Sequence, residues 1–566
     1  MKKGTALLLA VMLMLAALAG CAGNEGSNGN GGNEGKPGAA SGEQAGESTK
    51  EPAAAEKPKE PITIQAANLF PNLDPNNPVM QEIGNRAGVK FDLVTVTGDR
   101  NQKFDLWLAS GDYPKDTLIL KPDYISKYKE AGAIIPLEEL IEEHGKNIKE
   151  KYGEYFDLLK DENGHIYSLY VPNIATEPAP QIQAPFAIRY DVLEAAGYPE
   201  VKTLDQLFDV LKAFYDKNPT IDGKAMIPFS GFNTSGSGGE NLGGPSFNIA
   251  GLTNHGRFYI DDSDQARLIY VSDAMKQYYQ FLNRLYNAGM LDKEFFTLNM
   301  DGLTKKITEG RVLAGYFPDW YVQPEVEKTM RAAGDTDLMY AYFPLMQDES
   351  IRDRSFVSLR TRSNWNWAIS DKSEHPEEVI KLLDYMFSDE AQILINWGVE
   401  GRHYEVADGK RRVTDSYKQQ LKDNPDALWS EHASIFYGTS MYFAHGTKLA
   451  DGDYATPLTK DSIKEGYDER TNEVLAQYGK QVWSDFLPEL EYIPAILSQL
   501  GEVEDVRAEM KRVEQIWLKE SANMIFAGTS DEFDRLWTNY VQKIDKAGAV
   551  KLEDAYTELW RKNTKK

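Results

Sequence analysis

The chain has one cysteine in 566 residues, Cys21. No disulfide can form within it, and thiolate metal cages and cysteine nucleophiles are excluded from the body that follows. Positive charge is also scarce, with 62 Lys and Arg against 87 Asp and Glu and a formal net charge of −25. So acidic a protein is not drawn to nucleic acid or to an anionic polymer by bulk attraction. No nucleic-acid partner is therefore expected, and the ligand is neutral or held by local contacts. The N-terminal apolar run, residues 6–17, is too short to cross a bilayer, which takes roughly 20 residues. It follows Lys2 and Lys3 and precedes the small-residue stretch Leu18-Ala19-Gly20, which is the pattern of a cleaved signal sequence, residues 1–20.

Leu18-Ala19-Gly20-Cys21 matches the lipobox of bacterial lipoproteins, so Cys21 is the expected site of lipid attachment and of anchorage to the outer face of the cell membrane. More than one acyl chain is needed there, because a single chain binds a membrane only marginally. Residues 22–61 contain only Ala, Gly, Asn, Glu, Ser, Lys, Pro, Gln and Thr, and cannot bury enough surface to fold. Residues 21–61 thus read as a lipidated cysteine plus a disordered tether, spanning roughly 35 Å as a random coil. The remaining body, with 10 Trp, 30 Tyr and 23 Phe in the chain, has ample material for a core. Single cores rarely grow past about 250–300 residues, so two lobes are expected.

Ile62-Thr63-Ile64, Phe91 to Val96 and Thr117 to Leu120 read as strands, with helices between them around Val79 to Ala87 and Phe104 to Ala109. Strands alternating with helices in this way predict a parallel, doubly wound α/β sheet. Asn163-Gly164 reads as a hairpin turn, and its glycine comes too early for an EF-hand loop. Thr203 and Gln206 form a capping box ahead of an amphipathic helix. Residues 234–248 hold five glycines but lack the Lys-Ser/Thr ending of a phosphate-binding loop, so they are expected to form a surface loop near a cleft. Toward the C-terminus, Val506, Met510, Val513 and Trp517 share one helical face, and Phe533, Trp537 and Tyr540 share another, as core stripes.

Four stretches resemble the family 1 extracellular solute-binding proteins of carbohydrate ABC importers, in particular the long LipO-like lipoproteins. They are Ile188-Arg189-Tyr190-Asp191-Val192-Leu193 with Thr203-Leu204-Asp205-Gln206-Leu207, Trp367-Ala368-Ile369-Ser370 with its following helix, Gly398-Val399-Glu400-Gly401-Arg402-His403-Tyr404, and the ending around Lys546-Ala547-Gly548. The resemblance implies a periplasmic-binding-protein-like type II fold, with two doubly wound lobes around a hinged ligand cleft. It divides the body into 62–186 with about 368–485 as one lobe, and 187–367 with about 486–566 as the other. It further implies oligosaccharide capture, delivery to ABC transporter permease subunits, a monomer, no catalysis and no cofactor. Some members wrap calcium in an acidic loop. Here Ala225 and Met226 stand where acidic ligands are expected, and no metal is predicted at 216–228.

Sugars need aromatic platforms with polar groups aimed at their hydroxyls. Asp319 and Trp320, past the end of a predicted strand, are candidates, as are Trp365 and Trp367, which share one face of a strand, Arg402 with Tyr404, and Arg189, for which a hinge ion pair is the other use. These clusters are not strongly basic, which favours a neutral sugar over a uronate. Two rivals share the compartment and the aromatics. A glycoside hydrolase or polysaccharide lyase would need two carboxylates roughly 5–10 Å apart, and a peptide binder would show carboxylate clamps in place of stacked rings.

Overall fold

The computed structural model describes residues 60–564, apart from 162, 176, 178–185, 233–238, 253–256, 318–321, 355–356, 360–364, 425, 490 and 494–502. Eight strands build its two larger sheets: β1 (Ile62–Asn68), β2 (Val89–Thr95), β3 (Thr117–Leu120), β4 (Phe186–Arg189), β5 (Ile227–Ser230), β6 (Val312–Tyr316), β7 (Tyr340–Phe343) and β8 (Asn366–Ile369). The first sheet has the order β8-β3-β1-β2, with β1, β2 and β3 parallel and β8 antiparallel to β3. The second has the order β7-β4-β6-β5, with β5 and β6 parallel and β4 antiparallel to both β6 and β7.

Local chemistry sets the first βαβ units. Helix α1 (Pro78–Ala87) starts at Asn77, whose side chain accepts from the Met80 amide at 2.9 Å, with a proline at its first position where no amide is needed. Helix α2 (Arg100–Ser110) starts in the same way on Asp99, which accepts from the Gln102 amide at 2.8 Å. Both helices end on a glycine in the left-handed region, Gly88 and Gly111, so each strand that follows leaves at a fixed angle. The Thr203–Gln206 capping box forms as the sequence predicts and opens the helix Leu204–Tyr215.

Each sheet thus contains one strand against the parallel direction, which the alternation of strands and helices did not predict. In both cases it is the strand by which the chain arrives from the other core. One apolar core holds Ile64, Phe104, Tyr152, Val171, Trp367, Phe436 and Ala455, and the other holds Phe186, Tyr190, Tyr278, Leu345, Val474, Trp483 and Trp517. The chain leaves the first core after Val171 and enters β4, returns after Leu345 into β8, and leaves again between Ala455 and Val474. Val474, Leu475 and Trp483 therefore belong to the second core, ahead of the 486 expected from the sequence. Tyr190 decides this: its ring lies 6.0 Å from Trp483 and its hydroxyl donates to Thr471 Oγ1 at 3.2 Å.

Other local expectations change. Gly164 turns at positive φ and its amide donates to Asp161 O at 3.0 Å, but among the described residues no strand pair flanks the turn; Leu169 instead bridges to Trp367. Of the glycine-rich stretch, 233–238 lie outside the described residues, whereas Gly244–Ile249 is a helix with Pro245, Ser246 and Phe247 buried. The C-terminal stripes are core: Trp517 stacks on Tyr270 at 4.4 Å, and its Nε1–H donates to the Tyr279 hydroxyl at 2.8 Å.

Candidate ligand-binding site

In open α/β sheets, ligands collect beyond the carboxyl ends of the parallel strands. Strand direction shows which edge that is here. Strand β4 runs against its neighbours, so Phe186, where the first crossing arrives, lies at the carboxyl edge of the second sheet. The second crossing leaves β7 at that same edge and enters β8 at Asn366, which pairs with Leu120, the last residue of β3. Both crossings thus join the carboxyl edge of one sheet to the carboxyl edge of the other.

On the first sheet this edge is well defined. Asn68, at the end of β1, binds the next turn: its Oδ1 accepts from the Phe70 amide at 2.9 Å, and its Nδ2 donates to Thr95 Oγ1 at 3.1 Å at the end of β2. Trp365 stands just before β8, half-buried, edge-on to the buried Phe104 of α2 at 6.4 Å. The Arg100 guanidinium lies 5.3 Å from the Trp365 ring centroid and donates to Leu69 O at 3.0 Å. Lys121, the residue after β3, places its ammonium 6.0 Å from the same ring and donates to Asn101 Oδ1 at 2.8 Å. Sequence reasoning passed over Arg100 and Lys121. The available signal was their position within a few residues past predicted strand ends.

The other candidates separate. Asp319 and Trp320 lie outside the described residues, immediately past the carboxyl end of β6, as does Cys21, at the far N-terminus. Trp367 is fully buried, stacked on Phe436 at 4.7 Å, and its Nε1–H donates to Thr439 O at 3.1 Å. Trp365 and Trp367 share a face, but the core closes over the second and not over the first. Arg189 is also fully buried: Nε and Nη2 each donate to Asp191 at 2.6 Å and Nη1 donates to Gly310 O, so it forms an internal ion pair and offers no face to a ligand.

Arg402 and Tyr404 belong to a packed surface module. Arg402 Nε donates to Glu431 at 3.0 Å. Tyr404 is 7% exposed, lies 6.0 Å from Trp397, and begins a hairpin (Tyr404–Ala407 with Lys410–Val413) closed by Asp408 and Gly409. His403 and His432 stack at 5.2 Å inside the same module, and burial pulls both imidazoles down to about 4, so they are neutral near pH 7. The 216–228 region forms a tight hairpin, Thr220–Ile221 with Lys224–Ala225, turned by Asp222 and Gly223 at positive φ. Among the described residues, no group of three His, Cys, Asp or Glu side chains is placed to hold a metal.

Two α/β lobes joined edge to edge by crossing segments make the architecture of a hinged binding protein. A family model described as "Bacterial extracellular solute-binding protein" matches residues 72–393, more than half the chain, and the chain belongs to that family. It is 27% identical over 398 residues to Lipoprotein LipO of Bacillus subtilis, covering 67% of this chain and 72% of that protein. It is 28% identical over 236 residues to the fructooligosaccharide ABC transporter substrate-binding protein FusA of Streptococcus pneumoniae, covering 39% of this chain and 43% of that one. A solved HMO-binding, ABC-transporter-associated solute-binding protein from Bifidobacterium longum infantis superposes with a TM-score of 0.63 at 16% identity, over 89% of this chain and 99% of that chain. The fold is periplasmic-binding-protein-like type II.

Proposed function

We propose that this chain is the capture subunit of a carbohydrate ABC importer, which binds an oligosaccharide between its lobes and presents the closed form to the permease subunits. The observation that carries this reading is the pair of crossings joining the two carboxyl edges, with a half-buried tryptophan on one of them. Such a platform stacks on the apolar face of a sugar ring, and closure of one lobe on the other is a population shift driven by the bound ligand. The family and the sugar-binding relatives support the same reading. The protein acts as a monomer, performs no catalysis, and is held at the extracellular face of the cell membrane by lipid on Cys21. The tether keeps the folded body within reach of its transporter.

The test is a melting-temperature screen against plant and microbial oligosaccharides, followed by analysis of the recovered sugar. A sugar that raises the melting temperature progressively, with the logarithm of its concentration above Kd, and returns unchanged supports capture. Cleavage of the sugar refutes it in favour of a hydrolase or lyase, and stabilisation by peptides alone refutes the sugar assignment.

A further inference from the structure

We infer that the sugar taken at the Trp365 edge is acidic, carrying carboxylate or sulfate groups. This rests on the oligosaccharide reading above and narrows it, against the neutral sugar that the sequence clusters favoured.

The structure brings two cations from separate elements to one aromatic ring. Arg100 opens α2 and Lys121 follows β3, and their charges lie 5.3 Å and 6.0 Å from the centroid of Trp365. Neither has a carboxylate partner among the described residues. By contrast, Arg189, Arg257, Arg331, Arg411 and Arg470 are all ion-paired, as an excess of acidic residues makes easy. The nearby carboxylates are committed elsewhere. Asp99 caps α2 through the Gln102 amide, and Asp105 takes Lys127 at 3.1 Å and the Tyr124 hydroxyl at 3.0 Å. Arg100 spends one donor on Leu69 O and Lys121 spends one on Asn101, so most of their N–H groups stay open.

Closure of the lobes would remove these cations from water. A buried charge left without a counter-charge is strongly penalised, whereas one that meets a carboxylate or sulfate makes short, charge-assisted hydrogen bonds. A sugar stacked on Trp365 that places an anionic substituent between Arg100 and Lys121 resolves that penalty. A neutral sugar does not.

Calorimetric titration of the intact body tests this with matched probes: tetragalacturonate against its carboxyl-reduced counterpart, and a chondroitin sulfate tetrasaccharide against its desulfated counterpart. The expected result is that at least one acidic probe binds at least about tenfold tighter than its partner, with affinity falling as salt rises. Arg100→Gln and Lys121→Gln each weaken that acidic probe about tenfold, as loss of one charge-assisted contact requires, and shrink its advantage over the neutral counterpart, with circular dichroism checking that both variants are folded. The better arm of the panel separates carboxylate from sulfate. A neutral probe that binds as tightly as its acidic counterpart, or acidic binding that survives both substitutions, overturns the inference. If none of the four probes binds while the oligosaccharide screen finds a neutral ligand, this inference fails and the oligosaccharide reading stands; if that screen finds no sugar either, both fail.

Discussion

Truncating the two neighbouring tryptophans should produce opposite phenotypes, because one ring lies within the core and the other on its rim. Trp367 is fully buried, stacked on Phe436 with planes 17° apart, and its Nε1–H satisfies Thr439 O. Trp367→Ala removes that ring and leaves a buried carbonyl without its donor, at a cost of about 3–5 kcal/mol for a large aromatic in a packed site. The backbone exchange between residue 367 and Leu169, 2.8 Å in both directions, survives the change, so the strand keeps its place and the loss is one of packing. Trp365 is half-buried against Phe104 and lies beside two cations. Trp365→Ala should therefore cost only about 1–2 kcal/mol of partial burial and cation–π contact. Urea unfolding followed by circular dichroism, with the transition of the first lobe resolved from that of the second, measures the stability of both variants. A ligand-induced melting shift measures their function. Trp367→Ala should lose stability and keep its ligand response in proportion to the folded fraction, and Trp365→Ala should stay folded and lose the response. Equal destabilisation by the two substitutions, or full ligand response in Trp365→Ala, refutes the assignment of core and rim.

Buried Glu327 accepts from the Tyr342 hydroxyl at 2.8 Å and from Arg331 at 3.1 Å, and burial pushes its carboxyl up to about 7. A raised acid favours the protonated native state, so its stabilisation is complete below about 4.5 and is lost as pH rises toward 7. The stability of the wild type relative to Glu327→Gln should fall by about 3 kcal/mol between pH 4.5 and 8, and denaturant midpoints at both pH values show whether it does. His403 and His432 have the opposite sign: burial lowers both to about 4, so their contribution is intact above 6.5 and lost as pH falls toward 4. In a Glu327→Gln background, which removes the opposing carboxyl, the melting temperature should drop on acidification from pH 7 to 4.5, and adding His432→Gln should flatten that drop; equal slopes with and without it would remove the explanation. Cys21→Ala should release the protein to the medium with ligand affinity unchanged, as fractionation and titration will show, and lost affinity would mean that the tether takes part in binding.

Much of both lobes was legible because the signals are local. Asn77 and Asp99 cap helices through amides three residues on, Thr203 and Gln206 close a box within one turn, and the strands at 117–120 and 312–316 are buried along their whole length. Features that need a distant partner were read less well. Asn163-Gly164 has the residues of a hairpin, but the strand that Leu169 joins is 198 residues away at Trp367, so the turn closes without a ladder. Residues 244–249 have the small and polar look of a loop, yet Phe247 and Ile249 find a core and the segment is helical. Arg189 carried two readings, a cleft residue or a hinge ion pair, and the ion pair with Asp191 is the one that forms, with Nη1 held by Gly310, 121 positions further on.

By itself the sequence determined the α/β class of the body and the family to which it belongs, and it carries the expectation of a signal sequence, a lipidated Cys21 and an unfolded tether. Composition, periodicity and capping act over a few residues and so survive in a one-dimensional reading. Only the tertiary structure decided which edge of each sheet the crossings join and which tryptophan of a same-face pair is fully buried and which half-buried. It also showed that Arg100 and Lys121, 21 positions apart, lie over one ring without a carboxylate partner among the described residues. Desolvation and charge pairing act through space, between residues whose distance along the chain carries no information about their distance in the fold.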